Sequence, residues 1–180
     1  MFKFIIVLNL LFIKHSIGNE FLFENFNNDS IKNWEFITDQ VMGGVSYGNA
    51  EYISEGDREF ARMTGAVSLE NNGGFIQIRK KVTEDFSKNI SALKIEVRGN
   101  NQEYYIHIRT TGTILPWQYY QAPFLVTDNW KTLDINLIDF KRSGVMLSKK
   151  INPKNIKSIA IVAYGKEHEA FVDINNITVY

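Results

Sequence analysis

The chain contains no cysteine. Disulfides, thiolate nucleophiles and cysteine-ligated zinc are therefore excluded. Proline occurs only three times in 180 residues, and no Pro/Ser-rich linker or low-complexity tract marks a second domain. Neither sign of charge prevails, with 20 basic and 20 acidic residues. That leaves no basic footprint for nucleic acid and no acidic tail. No apolar run reaches the roughly 20 residues of a transmembrane helix. Beyond residue 20, no stretch keeps a helical period for three turns. Histidine is scarce as well, at positions 15, 107 and 168. There is no His-Glu-x-x-His zinc pattern, no Gly-x-Ser-x-Gly elbow and no EF-hand spacing. The carboxylates are scattered, with Glu84-Asp85 and Glu167-x-Glu169 as local clusters. Two carboxylates can hydrolyse glycosides only at a set separation that a sequence does not show. The expectation is a protein that is not an enzyme and has neither cofactor nor metal; a calcium held by loop oxygens is the alternative to the last.

What is present is apolar and aromatic. Hydrophobic residues make up 44% and aromatics 13%, enough for one sizeable core in a chain that should bury roughly 70% of its unfolded surface. The first 18 residues read as an export signal. A positive start, Met1-Phe2-Lys3, precedes the apolar run FIIVLNLLFI at 4–13, and Ser16-Ile17-Gly18 offers small residues at a cleavage site. The alternative is a buried N-terminal strand or helix. A mitochondrial presequence fits less well, because residues 1–18 lack arginine and amphipathic pattern. The organisation expected is a signal peptide at 1–18 and one domain at 19–180, periplasmic or secreted.

That domain reads as strands. Leu93, Ile95 and Val97 alternate with polar residues, as do Ile76 and Ile78, Ile106 and Ile108, and Leu133, Ile135 and Leu137. Ile156–Tyr164 is nearly all apolar, as suits a strand covered on both faces, and 170–180 resembles a last strand. Turn residues separate the runs at 71–74, 99–101, 127–129 and 152–153. Residues 82–89 and 137–143 each have room for one helical turn. Eight to ten short strands at this spacing predict an all-β antiparallel β-sandwich, a jelly roll.

Two segments combine amide or acidic residues with a Gly-Gly pair: TDQVMGGVSYG at 38–48 and LENNGGF at 69–75. Glycine reaches positive φ cheaply, and Asn and Asp tolerate it. At least one glycine of Val41-Met42-Gly43-Gly44 is expected at positive φ. Asp39, Gln40, Gly43, Gly44 and Ser46 are candidates for a ligand- or partner-facing loop; the alternative is that Asp39 caps a turn. Residues 71–74 read as a hairpin turn, and 167–169 as another hairpin tip. A second constellation lies on polar strand faces. Tyr105, His107 and Arg109 share one face by alternation, and Gln77 and Arg79 share another. Trp117, Tyr119 and Tyr120 form an aromatic segment in which alternation puts Trp117 and Tyr119 on one face and Tyr120 on the other. Aromatic faces with nearby donors suit sugar rings, and Tyr, Trp and Arg also anchor protein interfaces. A sugar platform requires exposed, coplanar rings; a protein-docking module requires a larger apolar patch around the Gly-Gly loop.

Trp34 with TDQVMGGVSYG at 38–48, GAVSLENNGGFIQIR at 65–79, ALKIEVRGNNQEYYIHIR at 92–109, YYQAPF at 119–124 and WKTLDINLIDF at 130–140 resembles the complex I intermediate-associated protein 30 family. The likeness runs over about 33–180. It implies a galactose-binding-like β-sandwich, in agreement with the strand pattern. Mitochondrial members of that family help to assemble respiratory NADH:ubiquinone oxidoreductase as non-catalytic chaperones. Chloroplast relatives join the module to a dinucleotide-binding domain, and this chain has no Gly-x-Gly-x-x-Gly. The resemblance implies an assembly-factor role with unfolded-protein binding and a protein partner in a respiratory or envelope complex. An extracytoplasmic carbohydrate-binding module is the alternative. Nucleic acid is not an expected partner, nor is a stable membrane span expected.

Overall fold

The computed structural model describes residues 20–84, 86 and 90–180. The expected export signal lies outside the described residues, as does part of the helical turn expected at 82–89.

Among the described residues are twelve strands in two antiparallel sheets. The first sheet contains β3 (Tyr47–Glu55), β4 (Arg58–Val67), β12 (His168–Val179), β6 (Ala92–Gly99) and β9 (Lys131–Asn136) in that order, and β1 (Phe21–Glu24) pairs with the far end of β12. The second sheet runs β10 (Lys141–Arg142), β8 (Tyr120–Leu125), β7 (Glu103–Thr110), β11 (Ile156–Tyr164), β5 (Phe75–Lys81) and β2 (Trp34–Thr38). The expected all-β sandwich is the fold observed. Its strands alternate apolar and polar residues because one side of each sheet faces the core. Ile76, Ile78, Ile106, Ile108, Ile159 and Ile161 from the second sheet meet Leu93, Ile95, Val97, Val172, Ile174 and Ile177 from the first in one cluster.

Only β3–β4 and β7–β8 are strands that are neighbours both in sequence and in the sheet. Most other connections cross from one sheet to the other. This corrects two local readings. Residues 71–74 do not close a hairpin: they carry the chain from β4 in one sheet to β5 in the other, through a short 3-10 turn. Residues 167–169 do not tip a hairpin either: Glu167 ends the link from β11 to β12, which belong to different sheets, and His168 and Glu169 already open β12. Asn- and Gly-rich turns look alike whichever way the next strand goes, so local chemistry alone does not separate the two cases. Leu137 ends no strand either; it is the buried first residue of a 3-10 turn, Leu137–Asp139.

The crossings are tied down by side chains. Tyr104 is fully buried; its hydroxyl donates to Asn100 Oδ1 (2.9 Å) and accepts from the Phe171 amide (2.8 Å). Burial pushes its phenol up to about 12. On the outer side of the first sheet, Asp173 is fully buried between Arg62, which grips it with two bonds of 2.7 and 2.8 Å, and Arg98 at 2.8 Å. The guanidinium planes of Arg58 and Arg98 lie over the Trp130 ring, and that of Arg62 over Phe171. These stacks cover Phe60, which is sealed from solvent on what alternation alone would make a polar face.

Candidate functional site

The two Gly-Gly segments meet. Asp39 opens a 3-10 turn, Asp39–Met42, and its side chain is fully buried. Its carboxylate accepts from the Ser46 amide (2.9 Å), the Ser46 hydroxyl (2.5 Å), the Gly74 amide (2.6 Å) and the Phe75 amide (3.3 Å). Burial pushes this carboxyl up, but the hydrogen bonds outweigh it and hold it below the usual carboxylate range. Ser46 then accepts from the Ser68 amide (2.9 Å). The glycines have two separate reasons. Gly43 has φ +94° and closes the turn in the left-handed region, as expected for one of the pair. Gly44 and Gly73 press against Asp39, where a Cβ would overlap the carboxyl group. Gln40 is exposed, and its amide donates to the Ser46 carbonyl at 2.9 Å.

Asp39 and Ser46 thus face inward and hold the loops together. What the loops present outward is apolar. Val41, Met42, Val45, Tyr47 and Leu69 are all between 38% and 76% exposed. They sit on the segments that Asp39 and Ser46 join. Sequence reading did not single out these five; the signal was there in the valines and methionine flanking the glycines, which a turn does not need.

The second constellation sits on the outer face of the second sheet. Register aligns Gln121, His107, Ala160, Arg79 and Glu35 in one row across β8, β7, β11, β5 and β2. Pro123, Tyr105, Val162, Gln77 and Ile37 form the next row. Alternation correctly put Tyr105, His107 and Arg109 together, and Gln77 with Arg79. Tyr119 stacks on His107 with ring centres 4.0 Å apart and planes 9° from parallel. Tyr164, which sequence reading did not single out, stands edge-on to Tyr105, His107 and Tyr119 at 88°, 69° and 77°. His107 is only 8% exposed, and burial pushes its imidazole down to about 3, although Gln121 works against that. Its Nε2 and the Gln121 Oε1 are buried without a hydrogen-bond partner.

The remaining candidates separate. Tyr120 points into the core, and its hydroxyl donates to the Ser148 carbonyl (3.0 Å). Trp117 is 62% exposed but precedes β8, in the loop after β7, so it shares no strand face with Tyr119. That alternation fails because the strand begins only at Tyr120. Arg109 donates to the carbonyls of Thr113 (3.1 Å) and Leu115 (3.0 Å), which shapes the same loop. Arg79 pairs with Glu35 at 2.8 Å. The Asp39 loops and Trp117 lie at opposite ends of the second sheet. β5 begins beside the Asp39 network and pairs Phe75 with Tyr164, whereas Thr110, before the Trp117 loop, pairs with Ile156 at the other end of β11. Two surface hollows, of 410 and 170 Å³, take no side chain from the expected set. Among the described residues, no cluster of three His, Asp or Glu gathers as a metal site, and no helix is long and apolar enough to cross a membrane.

This fold is that of the carbohydrate-binding-module β-sandwiches. A family 11 carbohydrate-binding module from Clostridium thermocellum, in complex with a β-1,3-1,4-mixed-linked tetrasaccharide, superposes with a TM-score of 0.73 at 14% identity, over 89% of this chain and 94% of that one. A family 30 carbohydrate-binding module superposes at 0.52 with 12% identity, over 76% and 92%. An exo-β-agarase does so at 0.60 with 12% identity, where 91% of this chain matches 25% of the larger protein. At such identities the likeness is one of fold. No curated protein matches the sequence significantly. The sequence over residues 21–172 matches the family model of Complex I intermediate-associated protein 30 (CIA30), and the chain belongs to that family.

Proposed function

We propose that the protein is a non-catalytic docking module of the assembly-factor type, and that it binds a protein partner in a respiratory or envelope complex through the Asp39-braced loops. The observation that carries this reading is the exposed apolar group Val41, Met42, Val45, Tyr47 and Leu69 on a backbone locked by four hydrogen bonds to a buried carboxylate. Clustered exposed apolar side chains mark interaction surfaces, and a pre-ordered loop loses little entropy on binding. Membership of the family supports an assembly role. The rings on the second sheet argue less for a sugar platform, because Tyr164 stands edge-on to its neighbours and the half-buried Tyr119 is engaged by His107.

The test is co-purification of the full chain with its partner from its source. Replacing Met42 and Tyr47 by Ser and Ala should weaken recovery by about 2 kcal/mol or more, roughly 30-fold, with an unchanged melting temperature. Full recovery by that variant would move the docking site elsewhere. The second reading, carbohydrate binding, is supported by the ring cluster of Tyr105, His107, Tyr119 and Tyr164 and by likeness to a module that binds a mixed-linked tetrasaccharide. It requires retention of a glycan that Tyr119→Ala and Tyr164→Ala abolish and Met42→Ser leaves intact.

The export reading of residues 1–18 forms part of the same proposal. Intact-mass measurement of the protein recovered from its source should show Asn19 as the first residue; a cytoplasmic product that retains Met1 would refute export.

A further inference from the structure

The end of the sandwich opposite the Asp39 loops carries a second exposed apolar group, and its surroundings differ in charge. Two loops meet there, 111–119 between β7 and β8, and 143–155 between β10 and β11. Ser143 joins them: its amide donates to the Tyr119 carbonyl (2.9 Å), and its hydroxyl accepts from the Tyr119 amide and donates to the Trp117 carbonyl, both at 3.0 Å. Each loop is built internally. Gln118 Oε1 accepts from the amides of Ile114 (2.9 Å) and Leu115 (3.0 Å), and Arg142 donates to the carbonyls of Val145 (2.8 Å) and Leu147 (2.5 Å). These braced loops nevertheless turn Ile114, Leu115, Trp117, Val145 and Met146 outward, between 41% and 90% exposed.

The charge within the segments that carry them has one sign. Residues 104–127 and 140–160 contain no Asp or Glu, while Lys141, Lys149, Lys150, Lys154 and Lys157 are all exposed. Of the acids beside these stretches, Asp139 accepts from Asn136, and Glu84, which follows β5 at this end of the sheet, faces Lys80. In a chain of zero net charge, five exposed lysines and no acid thus fall in the two stretches that build an apolar tip with an exposed tryptophan.

We propose that this end is a peripheral membrane-docking surface, in which the 111–119 and 143–155 loops dip their apolar tips into an anionic bilayer while the lysines meet the lipid phosphates. The physics favours that partner. Trp is suited to the boundary between headgroups and acyl chains. Apolar insertion and attraction to anionic lipid act together in surface-bound elements, and neither alone holds a protein firmly. A rim of lysines, flexible and with apolar stems, can follow a fluid surface. The proposal is independent of the docking reading, because it uses the other end of the sandwich.

The test is co-sedimentation of the full-length protein with phosphatidylcholine vesicles, with and without phosphatidylglycerol. Trp117 emission provides a second readout. Trp34 is buried and Trp130 lies between two guanidiniums, so Trp117 is the fluorophore that should shift to the blue. Binding should be at least roughly tenfold stronger to the anionic vesicles and should weaken with added salt. Met146→Asp with Trp117→Ser, and separately Lys149→Glu with Lys150→Glu, should each remove most of it while the melting temperature holds. The apolar N-terminal run is common to all variants, so equal sedimentation of wild type and both variants would assign adsorption to another segment and overturn the proposal. Absence of any anionic preference would also overturn it. So would capture by polyglutamate that matches vesicle binding and survives Met146→Asp with Trp117→Ser, because the surface would then be a polyanion site.

Discussion

Asp39→Asn should lower the stability of the folded chain by about 3 kcal/mol, because every group around that carboxylate is a donor. Four hydrogen bonds converge on two oxygens in a site without solvent access. An asparagine keeps one acceptor and turns an NH2 toward amides or a hydroxyl that also donate. The lost charge removes the stronger, charge-assisted bonds, and the clash leaves buried N–H groups unpaired. In a domain of this size that cost corresponds to a fall in melting temperature of roughly 6–12 °C, measurable by calorimetry. Gly44→Val should cost at least as much, since its side chain must displace the same carboxyl group, whereas Gly43→Val should lose about 1–3 kcal/mol from its left-handed φ alone. Equal melting temperatures for wild type and Asp39→Asn would show that the loops are held by something else. The consequence for function is direct: the apolar group at Val41, Met42 and Leu69 is presented by the backbone that Asp39 joins, so Asp39→Asn should also weaken partner recovery without touching the exposed surface.

Acidification should destabilise the protein well before its carboxylates titrate. His107 is held neutral, with its imidazole pushed down to about 3, whereas the same group in the unfolded chain takes its proton near pH 6.5. Between those values the unfolded state binds a proton that the folded state refuses. Stability is therefore complete above about pH 6.5, falls as the pH drops below it, and levels off near 3. The slope is about 1.4 kcal/mol per pH unit, so roughly 2 kcal/mol should be lost between pH 7 and pH 5. His168, which burial and Lys166 also push down, adds in the same direction. Asp39 and Glu24 are both held below the usual range, and their contribution disappears only at lower pH, which leaves the window from 6.5 to 4.5 to the histidines. Melting temperatures at pH 7, 6 and 5 check this in wild type and His107→Phe, which keeps a ring to stack on Tyr119 and cannot ionise. The variant should show a clearly shallower slope; an identical slope would mean that the folded protein protonates His107 at little cost.

The register rows across β8, β7, β11, β5 and β2 show why part of the site was legible in the chain. Period-2 alternation is local, so Tyr105, His107 and Arg109 had to share a face once β7 was a strand. Tyr164 joined them only because β11 lies beside β7, a long-range pairing that no local pattern announces. The burial of Ala160 and Val162 on that outer face, flanked in register by His107, Tyr105, Arg79 and Gln77, explains why β11 reads as apolar throughout. Trp117 illustrates the opposite error, since alternation was carried past the point where the strand starts.

Composition, alternation and turn residues were sufficient to determine an all-β sandwich without thiol chemistry and a positive-φ glycine in the Gly43-Gly44 pair, because each of these is expressed within a few neighbouring residues, and the family was legible as a resemblance of motif segments along the chain. The tertiary structure alone decided that Asn71-Asn72-Gly73-Gly74 crosses between sheets, that Asp39 binds Gly74 across 35 positions of chain, and that Asp173 is sealed between Arg62 and Arg98. It also decided that the lysines of 141–157 surround exposed Trp117 and Met146 at one end of the sandwich. Those outcomes depend on which strands become neighbours. Strand pairing is settled by the burial of a shared core, and that is a property of the whole chain rather than of any segment.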